Sequence, residues 1–182
     1  MSKITTKQIV FSAMAIALAT VISVAIKLPS LPNGGSTTLF SMLIICLIGY
    51  WYGPKVSIIA AIAYGILQFI VGPYVVHPLQ VILDFPLAFG ALGLSGFFAN
   101  SKHGLIKGFL VGAGGRFIVH CISGVIFYTT YVGDFVGNVS AIWAGILYNM
   151  TYIVPEVILT LILLALPPVQ NAMGELKKLA VN

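Results

Sequence analysis

Charge is what this chain has least of. Lysine, arginine, aspartate and glutamate make up 7% of its 182 residues, against about 25% in an ordinary soluble domain. Its acids are Asp84, Asp134, Glu156 and Glu175. A soluble surface cannot be built from that supply. With 59% hydrophobic residues and a mean hydropathy of +1.07, the composition points to helices in a bilayer. Cysteine is scarce as well. Cys46 and Cys121 lie in apolar runs, which favours buried thiols over a disulfide. The histidines, at 77, 103 and 120, fall in different regions, and no metal-ligand spacing appears. The net charge of +5 gathers into no basic patch, which argues against a nucleic-acid partner. A GxxxxGKS/T phosphate loop is missing, so ATP hydrolysis by that route is excluded. No internal repeat of the kind used by many secondary transporters is visible.

What is present is a series of apolar segments, at about 8–26, 38–53, 56–72, 81–99, 107–128 and 140–166. They predict an all-α integral membrane protein, a six-helix bundle forming one membrane domain over 1–182, with a short polar tail. Lys3 and Lys7 before the first segment resemble a signal-peptide start. The run is too long for that, and Lys27 follows it where a cleavage site would be. With a cytoplasmic N-terminus, Lys3, Lys7, Lys55, Lys102, Lys107, Lys177 and Lys178 all fall inside and Lys27 falls outside. The positive-inside rule therefore predicts both termini in the cytoplasm. The inner turns are short and basic. The outer loops, about 27–37, 73–80 and 129–139, are rich in Gly, Pro, hydroxyls and aromatics, which gives backbone room to approach a ligand.

Four ionisable residues sit within the apolar segments: Asp84, Arg116, His120 and Glu156. Each costs at least ~2.5 kcal/mol on insertion scales, so such groups face the bundle interior and mark functional paths. Arg116, His120, Gly124 and Tyr128 recur at i, i+4 and share one helix face. Asp84, His120, Tyr128, Trp143 and Asn149 can converge on one pocket near the outer surface. A carboxylate beside aromatic faces suits an organic cation or a protonated heteroaromatic ring. Asn and His add donors and acceptors for ring nitrogens or an amino group. Two plainer roles stay open: Arg116 neutralising Glu156, and His120 packing without a ligand.

The stretches GGSTTLFSM (34–42), LQFIVGPYVVHPLQVILDFPLAFGALGLSG (67–96), RFIVHCISGVIFYTTY (116–131) and YNMTYIVPE (148–156) carry a resemblance. They are similar to the thiamine-specific substrate-binding (S) components of energy-coupling factor vitamin transporters, over nearly the whole chain. The resemblance implies a six-helix membrane bundle in a bacterial cell membrane. It implies that thiamine is captured at the outer face, and that a transmembrane coupling protein and two cytoplasmic ATPases drive its import. By the same resemblance Asp84 takes the aminopyrimidine, His120 assists, Tyr128 stacks and Gly124 lets the ligand come close. Phe85 and Asn149 contact the vitamin, Tyr74 and the loop around Gly35 help cover it, and Arg116 balances a buried acid, Asp84 or Glu156. The chain departs from the family in places. The acid can be Glu in relatives and is Asp here. The stacking aromatic can be Trp and is Tyr128 here. A tyrosine of some relatives falls on Ala144, with Trp143 beside it, and a loop tryptophan falls near Gly35.

On the first segment, Ala13 and Ala17 lie one turn apart, a spacing that allows close helix contact. The resemblance makes them a docking face for the coupling protein; packing inside the same bundle is the alternative. GFLVG at 108–112 has the same spacing and is expected to pack internally. Rival functions remain. Asp84 and Glu156, with Pro155 breaking the last helix, suit a proton-coupled carrier of a small cation. An S component for another vitamin, such as pyridoxine, would also place a carboxylate among aromatics. An enzyme is not expected, because Cys121 and His120 are adjacent on a helix and cannot face each other. No cofactor is expected.

Overall fold

The computed structural model describes residues 3–26, 35–127 and 138–182, the last stretch with side chains from 142. Tyr128, Lys27, Asp134 and most of the loops expected at 27–37 and 129–139 lie outside the described residues.

The described chain is helical, in the order α1 (Thr6–Ala25), α2 (Ser41–Tyr52), α3 (Pro54–Val71), α4 (Pro78–Phe98), α5 (Gly104–Ile126), α6 (Asn138–Ala165) and α7 (Pro167–Val181). Among the described residues α1, α3, α4, α5 and most of α6 are long and apolar enough to cross a membrane. With α2 they form the expected six-helix bundle.

Local chemistry sets the ends. Thr5 and Gln8 make a reciprocal capping box at the start of α1. Gly53, at φ 80°, turns the chain between α2 and α3, and Pro54 opens α3. The His77 ring accepts the Leu79 N–H at 3.1 Å, and Pro78 takes the first position of α4. That cap starts α4 three residues ahead of the expected 81. Asp84 is therefore about 9 Å along the helix axis instead of the ~5 Å its expected start implied.

α4 changes pitch along its length. It is α-helical over Pro78–Ile82, forms a π turn over Leu83–Leu87, and ends as a 3-10 helix over Ala91–Phe98. Pro86 lies inside the π turn. It has no N–H to return to the Ile82 carbonyl, and the wider turn accommodates that loss.

α2 is the core. Met42, Ile45, Cys46 and Ile48 are wholly buried. Small residues let its neighbours close in: Ala15 and Ala19 from α1, Ala60 and Ala61 from α3, Ala113 from α5. The outer surface is a band of exposed Ile, Val and Leu, such as Leu18, Ile59, Ile118 and Ile162, as lipid contact requires. The polar tail is itself a helix, α7. It lies across the end of the bundle, where the Tyr52 hydroxyl donates to the Ala180 carbonyl at 3.0 Å. Lys177 there donates to the Ala99 carbonyl at 2.7 Å and sits over the Tyr50 ring.

Candidate functional site

A cavity of about 400 Å³ opens at the end of the bundle opposite α7. Asp84 and Phe85 reach it from the π turn of α4, His120 and Gly124 from α5, Asn149 from α6. Gly35 and Tyr74 border it from the connecting segments. The structure thus gathers seven of the nine expected ligand residues around one space.

Asp84 is held on both oxygens. The Gln80 side-chain amide donates to Oδ2 at 2.6 Å, and the His120 ring meets Oδ1 at 3.2 Å. Gln80, 1% exposed, also accepts the Val76 N–H at 3.1 Å. That backbone donor fixes the amide's orientation, so the NH2 must face Asp84. A carboxylate has about four lone-pair sites. Two remain, and Asp84 borders the cavity.

Arg116, 7% exposed, also borders the cavity. Its expected partner was Asp84 or Glu156. Among the described residues it makes an ion pair with neither. Its Nε donates to His120 Nε2 at 3.3 Å, and its guanidinium stacks 4.2 Å from the Phe89 ring centroid. Any balancing of either acid by Arg116 therefore acts without a direct ion pair, toward Asp84 through the intervening His120 ring. Glu156 stands behind the cavity wall, 2% exposed, at the N-terminus of α2. It accepts from the Thr38 and Met42 N–H groups, both at 3.2 Å. A helix start buried away from water leaves N–H groups without acceptors. A carboxylate there fits both the hydrogen bonding and the helix dipole.

Trp143 does not line the cavity and is 60% exposed. The structure does not bring it to the cavity with the other expected residues. At 100° per residue, Trp143 points about 160° away from Gly145, which with Ala144, Tyr148 and Asn149 forms the α6 wall. Ala13 and Ala17 are exposed on α1, whereas Ala15 and Ala19 pack inside. Cys46 and Cys121 are free thiols. No group of three or more His, Cys, Asp or Glu suited to a metal occurs among the described residues.

Several wall residues escaped the sequence argument: Gln80, Ser123, Tyr148 and Tyr152. Gln80 was legible, since it precedes Asp84 by one helical turn in an otherwise apolar run. Tyr152 donates to the Asn149 side-chain oxygen, and the Asn149 amide donates to the Gly145 carbonyl at 2.8 Å. Asn149 is thereby held rigid against the cavity.

A membrane bundle enclosing a half-open, small-molecule-sized chamber, with a carboxylate presented among aromatic rings, belongs to the class of small-molecule membrane binding proteins. Residues 9–174 match the thiamine transporter protein family (Thia_YuaJ), and the chain belongs to that family. It is 32% identical over 152 residues to the thiamine transporter ThiT of Bacillus subtilis (strain 168), covering 75% of this chain and 77% of that protein. It is 33% identical over 89 residues to ThiT of Lacticaseibacillus paracasei, covering 40% and 44% of the two chains. A solved structure of ThiT from Listeria monocytogenes shares the fold, with a TM-score of 0.60 at 22% identity over 89% of this chain and 93% of that one. The family is one of multi-pass transporters, not enzymes.

Proposed function

We propose that this protein captures thiamine in the cavity beside Asp84. The observation that carries the reading is the Asp84 carboxylate, oriented by Gln80 and His120 toward an aromatic-walled chamber. The aminopyrimidine donates to the free lone pairs of Asp84, and the cationic ring lies among Phe85, Tyr74 and Tyr148. Gly124 leaves room for it, and Asn149 supplies a further polar contact. A carboxylate among aromatic rings suits pyridoxine as well, and it is family membership that favours thiamine.

The protein acts in a bacterial cell membrane with both termini in the cytoplasm and the cavity facing out. The lysines at the α7 end support that orientation. Transport follows when an energy-coupling factor transmembrane protein docks, with two cytoplasmic ATPases supplying the energy. The exposed Ala13 and Ala17 offer the contact face on α1. A proton-coupled carrier loses its main support, because Glu156 caps α2 and does not border the cavity.

Calorimetric titration of the purified protein in detergent, without ATP or partners, tests the reading. Saturable binding of one thiamine per chain is the expected result. Silence with thiamine, together with heat from pyridoxine or riboflavin, would reassign the ligand.

A further inference from the structure

α2 begins inside the bundle. Ser41, Met42 and Leu43 are buried, and Phe40 at the N-cap, with φ 65°, provides no side-chain acceptor. The acceptor comes from α6. Glu156 Oε1 takes the Met42 N–H at 3.2 Å and the Ser41 hydroxyl at 3.5 Å. Glu156 Oε2 takes the Thr38 N–H at 3.2 Å and the Thr38 hydroxyl at 3.4 Å. One turn nearer the cavity mouth, the Tyr152 carbonyl accepts from the Thr37 hydroxyl at 3.2 Å. One turn further, the Tyr148 hydroxyl accepts the Gly35 N–H at 2.8 Å. Positions 148, 152 and 156 are i, i+4 and i+8, so one face of α6 grips residues 35–42 at three levels. Gly35 is required for the closest rung. A Cβ there would fall 2.6 Å from the Tyr148 hydroxyl oxygen and 2.9 Å from Tyr152 Cδ1.

This grip builds a wall of the cavity. Gly35, Ser36 and Thr38 border it from the segment, and Tyr148 and Tyr152 border it from α6. We propose that Glu156 is a positioning residue that locks residues 35–42 to α6. The segment and helix then move as one unit, which sets how fast a ligand enters and leaves without Glu156 touching it. The kinetic half of this inference rests on the proposed thiamine site; the structural half does not.

Glu156→Gln puts an NH2 where one oxygen accepted, so a donor confronts the Thr38 or Met42 N–H. Hydrogen–deuterium exchange of the ligand-free protein should show roughly tenfold faster exchange at 35–42 in Glu156→Gln, with 78–90 unchanged. Stopped-flow thiamine binding should show the on-rate and off-rate rising together, each by roughly fivefold or more, with Kd moving far less. Unchanged exchange at 35–42 overturns the inference whatever the ligand proves to be. A rise in off-rate alone also overturns it, since that marks a direct ligand contact. If thiamine fails to bind, the thiamine reading falls and the exchange experiment still decides the lock. If Glu156→Gln does not fold, Thr37→Val gives the same exchange test. It is nearly isosteric, lies outside the cavity wall and removes the rung to the Tyr152 carbonyl.

Discussion

Arg116 Nε lies 3.3 Å from His120 Nε2, and that contact settles which face of the imidazole carries the proton. A guanidinium only donates. His120 Nε2 must therefore accept, which leaves the proton of the neutral ring on Nδ1. Nδ1 is the atom 3.2 Å from Asp84 Oδ1, so it donates to the carboxylate. Arg116 thus reaches Asp84 through the histidine, and Asp84 remains an acceptor on both oxygens.

The tautomer is directly measurable. In 15N spectra of histidine-labelled protein, His120 should show a protonated Nδ1 and an unprotonated Nε2. Arg116→Met removes the donor at Nε2 and should let the Nε2–H form appear. A wild-type spectrum dominated by Nε2–H would contradict the relay.

Asp84→Asn keeps the shape of the side chain and removes its charge. Losing one partner of a buried charged contact costs about 3 kcal/mol, roughly a hundredfold in thiamine Kd. Glu156→Gln should change Kd far less, because Glu156 lies behind the wall. Titration of both variants checks the ranking, and equal losses would restore a shared ion path.

Gln80→Leu leaves Asp84 one donor short and frees the Val76 N–H. Hydrogen bonds to charged groups contribute about 1.5–3 kcal/mol, so thiamine Kd should rise between roughly tenfold and a hundredfold. Gln80→Leu combined with Asp84→Asn should cost less than the sum of the two, because the contacts are coupled. A double-mutant cycle measures this.

Trp143 makes the opposite case. Replacing it with Phe should leave Kd within about twofold, as for an ordinary surface substitution. Its emission should respond little to thiamine. A strong quench would place Trp143 at the site after all.

The bundle was legible because membrane spans announce themselves by length and composition, and the α5 stripe because its polar residues repeat at i, i+4 in apolar surroundings. Trp143 was expected beside Asn149 on nearness in sequence, but six residues apart on a helix is a different face, and the structure places only Asn149 on the cavity wall. The setting of Glu156 was hidden for another reason. Its partners are the backbone N–H groups of Thr38 and Met42, with the Thr38 and Ser41 hydroxyls, more than a hundred residues away. Backbone donors carry no residue-type signal, so an apolar segment gives no hint that its helix starts inside the bundle and lacks a cap. The π turn was half legible. Pro86, two residues after Asp84, signals a local break but not which way the carboxylate then turns.

That π turn yields the last prediction. Gly65 on α3 lies directly against it. A Cβ at Gly65 would fall 2.5 Å from the Phe85 carbonyl oxygen and 2.9 Å from its carbon. Those are backbone atoms, which cannot swing aside as a side-chain tip can. Gly65→Ala must therefore push α4 away from α3 at the turn that aims Asp84 and Phe85 into the cavity. Overpacking of this size costs about 1–3 kcal/mol of stability, seen as a lower Tm in detergent. The shift also moves Asp84 relative to His120, so thiamine affinity should fall even where the variant is fully folded. Gly114→Ala is the control, since a Cβ there meets nothing within 4 Å. It should keep both Tm and Kd, and a Gly65→Ala variant that did likewise would show that α4 reaches the same geometry without the close approach.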